Sequence, residues 1–161
     1  MSAGYTIIET KWGFFGLAAD SGRVLKTILP TQKRLIESYF KGLAYNANCH
    51  KSLQKLILHY FDGMAVEFGN IDVQLEGLGV FEMKVLNACR AVSYGNTISY
   101  KQLAGRAGNP KAFRAAANAL AKNPIPLIIP CHRIICSDGK IGGFSAGTKN
   151  LKQQMIELEK R

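Results

Sequence analysis

Apolar positions follow two rhythms along this chain, and the change of rhythm divides it. Between residues 5 and 29 they come in short runs broken by turn residues. Trp12 to Ala19 and Val24 to Leu29 are two such runs, and Asp20-Ser21-Gly22 between them is a hairpin signal, so antiparallel strands are predicted. The spacing then becomes helical. Leu35, Ile36, Tyr39 and Phe40 predict a helix from Thr31 to about Lys41, with these four on one side and Gly42 as its end. Leu53, Leu56, Ile57 and Tyr60 predict a second, from about Lys51 to Phe61. Ile71, Val73 and Leu75 alternate with polar residues and predict one more strand. Gly77 and Gly79 mark a boundary, which gives an N-terminal domain at 1–76 and a C-terminal domain at 77–161.

The second half reads as mainly helical. Phe81, Val85, Leu86 and Cys89 form one helical face. Ser99 can cap a short helix from Tyr100 to Arg106, which stops at Gly108. Pro110 favours a helix start and predicts a helix over 110–122. These two helices, joined by Ala107-Gly108-Asn109, read as a helix-turn-helix, and a last helix runs from about Lys149 to Lys160. The fold class is therefore α/β (α+β), an antiparallel sheet with helices followed by a mainly helical domain.

Charge sharpens the division. The chain has 161 residues and a formal net charge of +10. Residues 1–76 hold eight Lys/Arg and seven Asp/Glu, a net +1, whereas residues 77–161 hold thirteen and four, a net +9. Positive charge gathered on one domain is the footprint of a phosphate-bearing partner. No apolar run approaches a membrane span and the N-terminus lacks a signal-peptide pattern, so an intracellular, soluble protein without a membrane partner is expected. The four cysteines form no Cys-x-x-Cys pair, and the histidines complete no zinc-finger spacing. No metal is expected, and reduced thiols fit a cytosolic or nuclear compartment.

The chemistry concentrates at Ile129-Pro130-Cys131-His132-Arg133. A thiolate is the strongest side-chain nucleophile near neutral pH, and a nearby imidazole can help form it. Pro126 and Pro130 bracket Leu127-Ile128-Ile129 and stiffen the approach to Cys131. Taken alone, a buried structural cysteine explains the pair equally well. In an extended segment His132 would point away from Cys131, so a water relay is expected rather than direct proton transfer. The helix at 110–121 carries small side chains, with Arg114 and Asn118 as its main polar groups. Such a helix suits binding that is nearly blind to base sequence.

Several ordered motifs, from about Gly79 to Glu159, resemble the O6-alkylguanine-DNA alkyltransferases (methylated-DNA–protein-cysteine methyltransferases). They are Phe81 to Val85, Tyr94-Gly95, Ile98 to Ala104, Gly108 to Lys111, Arg114-Ala115, Asn123-Pro124, Pro130 to Arg133, Gly142 to Ser145 and Lys152 to Glu159. The resemblance implies an RNase H-like N-terminal domain. It also implies repair by direct reversal: stoichiometric, irreversible transfer of the alkyl group from O6-alkylguanine, and from O4-alkylthymine, to Cys131. No cofactor is implied, since damaged DNA is the alkyl donor. The implied partner is double-stranded DNA at any sequence, bound by a monomer in the cytoplasm (or in the nucleus, if the source is eukaryotic). His132 would deprotonate Cys131 through water, oriented by Glu159, and Asn123 would fix the turn into the active strand. Tyr100 would help evert the nucleotide and donate to the leaving guanine, with Ser145 a second donor candidate. Arg114 would take the everted nucleotide's place in the stack, while Lys101, Asn109 and Ser137 contact the DNA backbone. Pro126, Ile134, Gly142, Phe144 and Ser145 would shape the base pocket. Three points depart from the pattern: Leu86 stands where many members have Trp, one extra residue precedes Lys152 and shifts the register of Glu159, and no zinc set is evident in the first half. A helix-turn-helix regulator without acceptor activity is the alternative.

Overall fold

The computed structural model describes residues 2–161, which fall into two compact units, one ending at Gln74 and one beginning at Leu75. No helix among the described residues is long and apolar enough to cross a membrane.

The first unit opens with a three-stranded meander, β1 (Gly4–Thr10), β2 (Gly13–Asp20) and β3 (Arg23–Thr31). Gly4 pairs with Ala19 and Thr10 with Gly13 across β1 and β2. The β2–β3 turn places Ser21 at φ 50° and Gly22 at φ 85°, the two left-handed residues that a tight hairpin matching strand twist requires. Helix α1 (Lys33–Tyr39) follows, then the short strand β4 (Ala44–Tyr45), parallel to β1, which gives the order β3-β2-β1-β4. Helix α2 (Lys51–Phe61) buries Leu53, Ile57, Tyr60 and Phe61.

Two readings of this half change. Helix α1 is shorter than predicted, because β3 runs on to Thr31; it buries Ile36, with Phe40 buried just past its end, while Leu35 and Tyr39 are 51% and 56% exposed. The helix docks over Gly16, where a Cβ would lie 2.8 Å from Ile36 and 2.9 Å from Phe40. A two-turn helix seated over a missing side chain covers only one narrow stripe. The segment Ile71–Leu75 makes no strand. It contributes a single bridge, Val24 to Val73, with the Val24 amide donating to Asp72 and the Gln74 amide donating to Val24.

The second unit begins with α3 (Val80–Arg90), whose entry is closed by the Gly79 amide donating to Glu82 Oε2 at 3.0 Å. Leu86 is fully buried there, so a smaller apolar residue than Trp serves that core position. A two-residue strand, β5 (Ile98–Ser99), leads into α4 (Tyr100–Arg106). Ser99 Oγ accepts from the Gln102 amide at 3.0 Å and the Ser99 amide donates to Gln102 Oε1 at 2.8 Å, a reciprocal cap that fixes where α4 starts. Helix α5 (Phe113–Ala121) begins three residues later than Pro110 predicts. Asn109 holds the intervening turn, its Oδ1 accepting from Lys111 and its carbonyl from Ala112. These bonds offer the backbone an alternative to the first helical turn. After a one-turn 3₁₀ segment at Cys131–Arg133, β6 (Ile134–Ile135) pairs in parallel with β5, and α6 (Lys149–Glu159) closes the chain, capped by Thr148 Oγ1.

Candidate active site

The segment that presents Cys131 is built on Asn123. Its Oδ1 accepts from the Ile125 amide and its Nδ2 donates to the Ile129 carbonyl, both at 3.0 Å. The Ile129 amide donates back to Ile125 at 2.9 Å, and Leu127 sits at φ 77° inside the resulting turn. The predicted strand into Cys131 is therefore a compact buried loop. A β-branch-free residue held at positive φ stores strain that the surrounding packing must hold in place.

Cys131-His132-Arg133 is also not extended, so its side chains do not alternate between two faces. With three residues per turn, successive side chains splay in three directions. Cys131, 7% exposed, lines a cavity, while His132 and Arg133 both reach Glu159. His132 Nε2 and Glu159 Oε1 are 2.6 Å apart. Arg133 donates to both carboxylate oxygens, Nε to Oε2 at 2.9 Å and Nη2 to Oε1 at 3.1 Å, and its Nη1 donates to the Val92 carbonyl at 2.6 Å. The Gly95 amide adds a bond to Oε2 at 3.2 Å. Glu159 is thus a buried hub rather than an exposed helix-end acid, and the extra residue before Lys152 does not take it out of reach.

Electrostatics follows from this packing. Burial alone would raise the Glu159 carboxyl, but the hydrogen bond and charge of His132, together with those of Arg133, outweigh it and hold the group down at about 2. Burial lowers His132, against the pull of Glu159, so the imidazole is neutral near pH 7. With Glu159 ionised, Nε2 carries the ring proton and Nδ1 the lone pair. Burial pushes the Cys131 thiol up, opposed by a hydrogen bond from Asn123 and the charge of Lys152. The resting sulfur is a thiol with a neutral base one residue away.

The cavity holds about 340 Å³, within the range of small-molecule sites (roughly 300–1,000 Å³). Tyr100, Ala117, Leu120, Ala121 and Cys136 form its walls with Cys131, and Gly142 to Ser145 the remainder. Burial raises the Tyr100 phenol, as do the nearby Cys136 and Cys131 sulfurs, so it stays a proton donor. Gly142 sits at φ 76°, and a Cβ there would lie 3.1 Å from Cys136 Sγ and 3.4 Å from the Tyr100 hydroxyl. Ser145 is exposed, and its hydroxyl donates to the Ala121 carbonyl at 3.3 Å.

Lys152, which sequence reasoning used only as a motif marker, is fully buried. Its Nζ donates to the carbonyls of Ile141 at 2.7 Å and Gly143 at 3.3 Å and lies 3.5 Å from the Tyr100 hydroxyl. It also sits over the Tyr100 and Phe144 rings, 5.6 and 5.8 Å from their centroids. It therefore ties the Gly142–Ser145 wall to Tyr100. A lysine at helical spacing on α6 gives no local signal for this.

The structure brings Cys131, His132, Glu159, Asn123 and Tyr100 together. Gly142, Phe144 and Ser145 line the cavity. Pro126 and Ile134 do not: both are buried in the core behind it, Pro126 in its tight turn and Ile134 paired with Ile98. On α5, Ala117 and Leu120 form cavity wall, while Ala116 and Ala119 are buried. Lys101, Asn109, Arg114 and Ser137 are all exposed. Among the described residues no group of three or more His, Cys, Asp or Glu is placed to hold a metal ion.

The chain is similar to known proteins. The 6-O-methylguanine DNA methyltransferase, DNA binding domain family matches residues 80–161. The chain is 39% identical over 109 residues to the methylated-DNA–protein-cysteine methyltransferase of Methanothermobacter thermautotrophicus, covering 68% of this chain and 60% of that one. It is 33% identical to the protein of that name in Methanosarcina acetivorans, over 96% of this chain and 97% of that one. A crystal structure of Mycobacterium tuberculosis OGT in complex with DNA superimposes with a TM-score of 0.85 at 30% identity, covering 98% and 92% of the two chains. The matched stretch spans 60% of the Methanothermobacter protein and 34% of the Cricetulus griseus one.

Proposed function

This chain belongs to the 6-O-methylguanine DNA methyltransferase family, and from that premise we propose that it repairs DNA by moving the alkyl group of O6-alkylguanine onto Cys131. The observation that carries the reading is the position of Cys131. Its sulfur opens onto a base-sized cavity on one side, and the buried His132–Glu159 pair stands behind the same turn.

The chemistry balances without a cofactor. His132 Nδ1 takes the thiol proton through a water molecule, and Glu159 stabilises the imidazolium that forms. The thiolate attacks the alkyl carbon and a C–S bond forms. The C–O bond breaks, and its electron pair goes to guanine O6. Tyr100 donates a hydrogen bond to the departing base, which ends as neutral guanine with the proton that the thiol lost. A thioether offers no leaving group, so each molecule acts once. O4-alkylthymine presents the same electrophile and would react likewise.

Stacked guanine cannot meet the sulfur in line, so the nucleotide must be everted, at a cost of a few kcal/mol. α4 and α5 read as a helix-turn-helix whose second helix approaches the minor groove. Arg114 takes the vacated place, and Lys101, Asn109 and Ser137 contact phosphates. The surplus of nine positive charges over residues 77–161 supports a DNA partner held through its phosphates at any sequence, and the protein engages it as a monomer. In the first unit the order β3-β2-β1-β4 supports an RNase H-like reading. The site of action is intracellular, where the DNA is. A regulator built on the same two helices would need neither the cavity nor the buried pair.

The test is incubation with duplex DNA carrying one O6-methylguanine, followed by intact mass. The expected result is a gain of about 14 Da mapped to Cys131, restored guanine and no second turnover. Repaired DNA with an unmodified protein would overturn it, as would a Cys131→Ala variant that still repairs.

A further inference from the structure

The first residue of α5 is Phe113, and its ring is 45% exposed. The Arg114 guanidinium carbon lies 5.8 Å from its centroid. The other outward positions of this helix are small, polar or cationic: Arg114, Ala115, Asn118 and Ala121. Phe113 is therefore the one large apolar group that α5 presents to solvent. Its position on the helix is informative. At 3.6 residues per turn, Phe113, Ala117 and Leu120 fall within about 60° of one another, and Ala117 is about 6 Å along the axis. Ala117 and Leu120 are cavity wall. The exposed ring stands on the same stripe, one turn closer to the start of the helix, with the arginine beside it.

We propose that Phe113 is a second DNA-engaging side chain, an apolar wedge that stacks on a base next to the everted nucleotide while Arg114 fills the vacated place. This rests on the alkyl-transfer reading given above. Everting one nucleotide leaves two unstacked base faces, and a single guanidinium plane covers them incompletely. Minor-groove proteins insert Phe, Leu, Ile or Met between base steps for this purpose. Stacking on an aromatic ring is tolerant of sequence, since every base has a π face. The occupant is duplex DNA because the surrounding residues 77–161 carry a net +9, which disfavours a basic or purely apolar partner.

The test compares single-turnover alkylation of Cys131 by two donors: a duplex with one O6-methylguanine, and the free base O6-benzylguanine, which needs no eversion. Phe113→Ala should slow transfer from the duplex at least about fivefold, the lower end of base–aromatic stacking, and leave transfer from the free base unchanged. Phe113→Trp should keep the duplex rate. Equal duplex rates for wild type and Phe113→Ala would overturn the wedge while leaving alkyl transfer intact. Equal slowing on both donors would make Phe113 a support of the cavity and also overturn it. A wild-type protein that accepts alkyl from neither donor would overturn the parent reading itself.

Discussion

His132 Nε2 lies 2.6 Å from Glu159 Oε1, although 27 residues separate them in sequence. Both side chains are buried, and Arg133 clamps the same carboxylate through two bonds. One carboxylate thus sets the tautomer of the base and neutralises a buried cation. Its two roles respond differently to change.

Glu159→Gln removes the charge and keeps the shape. An amide cannot stabilise an imidazolium, so alkylation of Cys131 is expected to slow by about 10²-fold or more. Arg133 loses its counter-charge, and breaking a buried pair in this way costs about 3–5 kcal/mol. Urea unfolding with single-turnover alkylation checks both. His132→Gln separates them: it should slow the reaction to a similar extent while leaving the Arg133–Glu159 pair in place.

Acid should unfold this protein early. Glu159 titrates near 2 in the fold against an ordinary 4.5, so between those values the unfolded chain binds more protons and stability rises with pH. His132, lowered by burial from 6.5, acts with the same sign below that pH. Stability should therefore be complete above about pH 6.5 and fall as pH drops, most steeply from 4.5 toward 2. The Glu159 contribution is on the order of 3 kcal/mol. Unfolding midpoints should fall in wild type as pH drops from 7 to 3, and fall less in Glu159→Gln.

Lys152→Met keeps the buried stem and removes the donors to Ile141 and Gly143. Each carbonyl left without its donor costs about 1–3 kcal/mol. The expected outcome is faster amide exchange at residues 141–145, with protection of α2 unchanged, and slower alkylation from both duplex and free base. Unchanged exchange at 141–145 would mean that the wall is held by something else.

Gly142→Ala places a methyl 3.1 Å from Cys136 Sγ at a positive-φ position. The backbone term is about 1–2 kcal/mol, and the methyl intrudes beside Tyr100. Alkylation should slow more than stability alone explains. Adding Cys136→Ala should restore part of the rate, since it removes the clash, and none of the backbone strain.

Neighbouring residues along the chain were enough to set the local features. Ser99 and Gln102 cap α4 because a reciprocal cap needs only residues three apart, and Asp20-Ser21-Gly22 turns the hairpin because only its own φ angles matter. The bounds of α2 follow from spacing and flanking residues alone. Cys131 stands out as the candidate reactive sulfur because the whole motif set around it is ordered along the chain. Tertiary structure decided what those elements meet. Periodicity shows that a helix has an apolar side, but not that Gly16 admits Ile36 and Phe40 and leaves Leu35 and Tyr39 outside. It gives Glu159 the look of an exposed acid, because nothing within its own helix reveals His132 and Arg133 waiting 27 and 26 residues upstream. The same holds for Lys152, whose acceptors are carbonyls and therefore leave no mark in a sequence. The family resemblance made Pro126 and Ile134 pocket residues, yet a turn at Leu127 and pairing with Ile98 send them into the core. Burial and pairing across long separations are set by packing, and packing is what joins His132, beside Cys131, to Glu159.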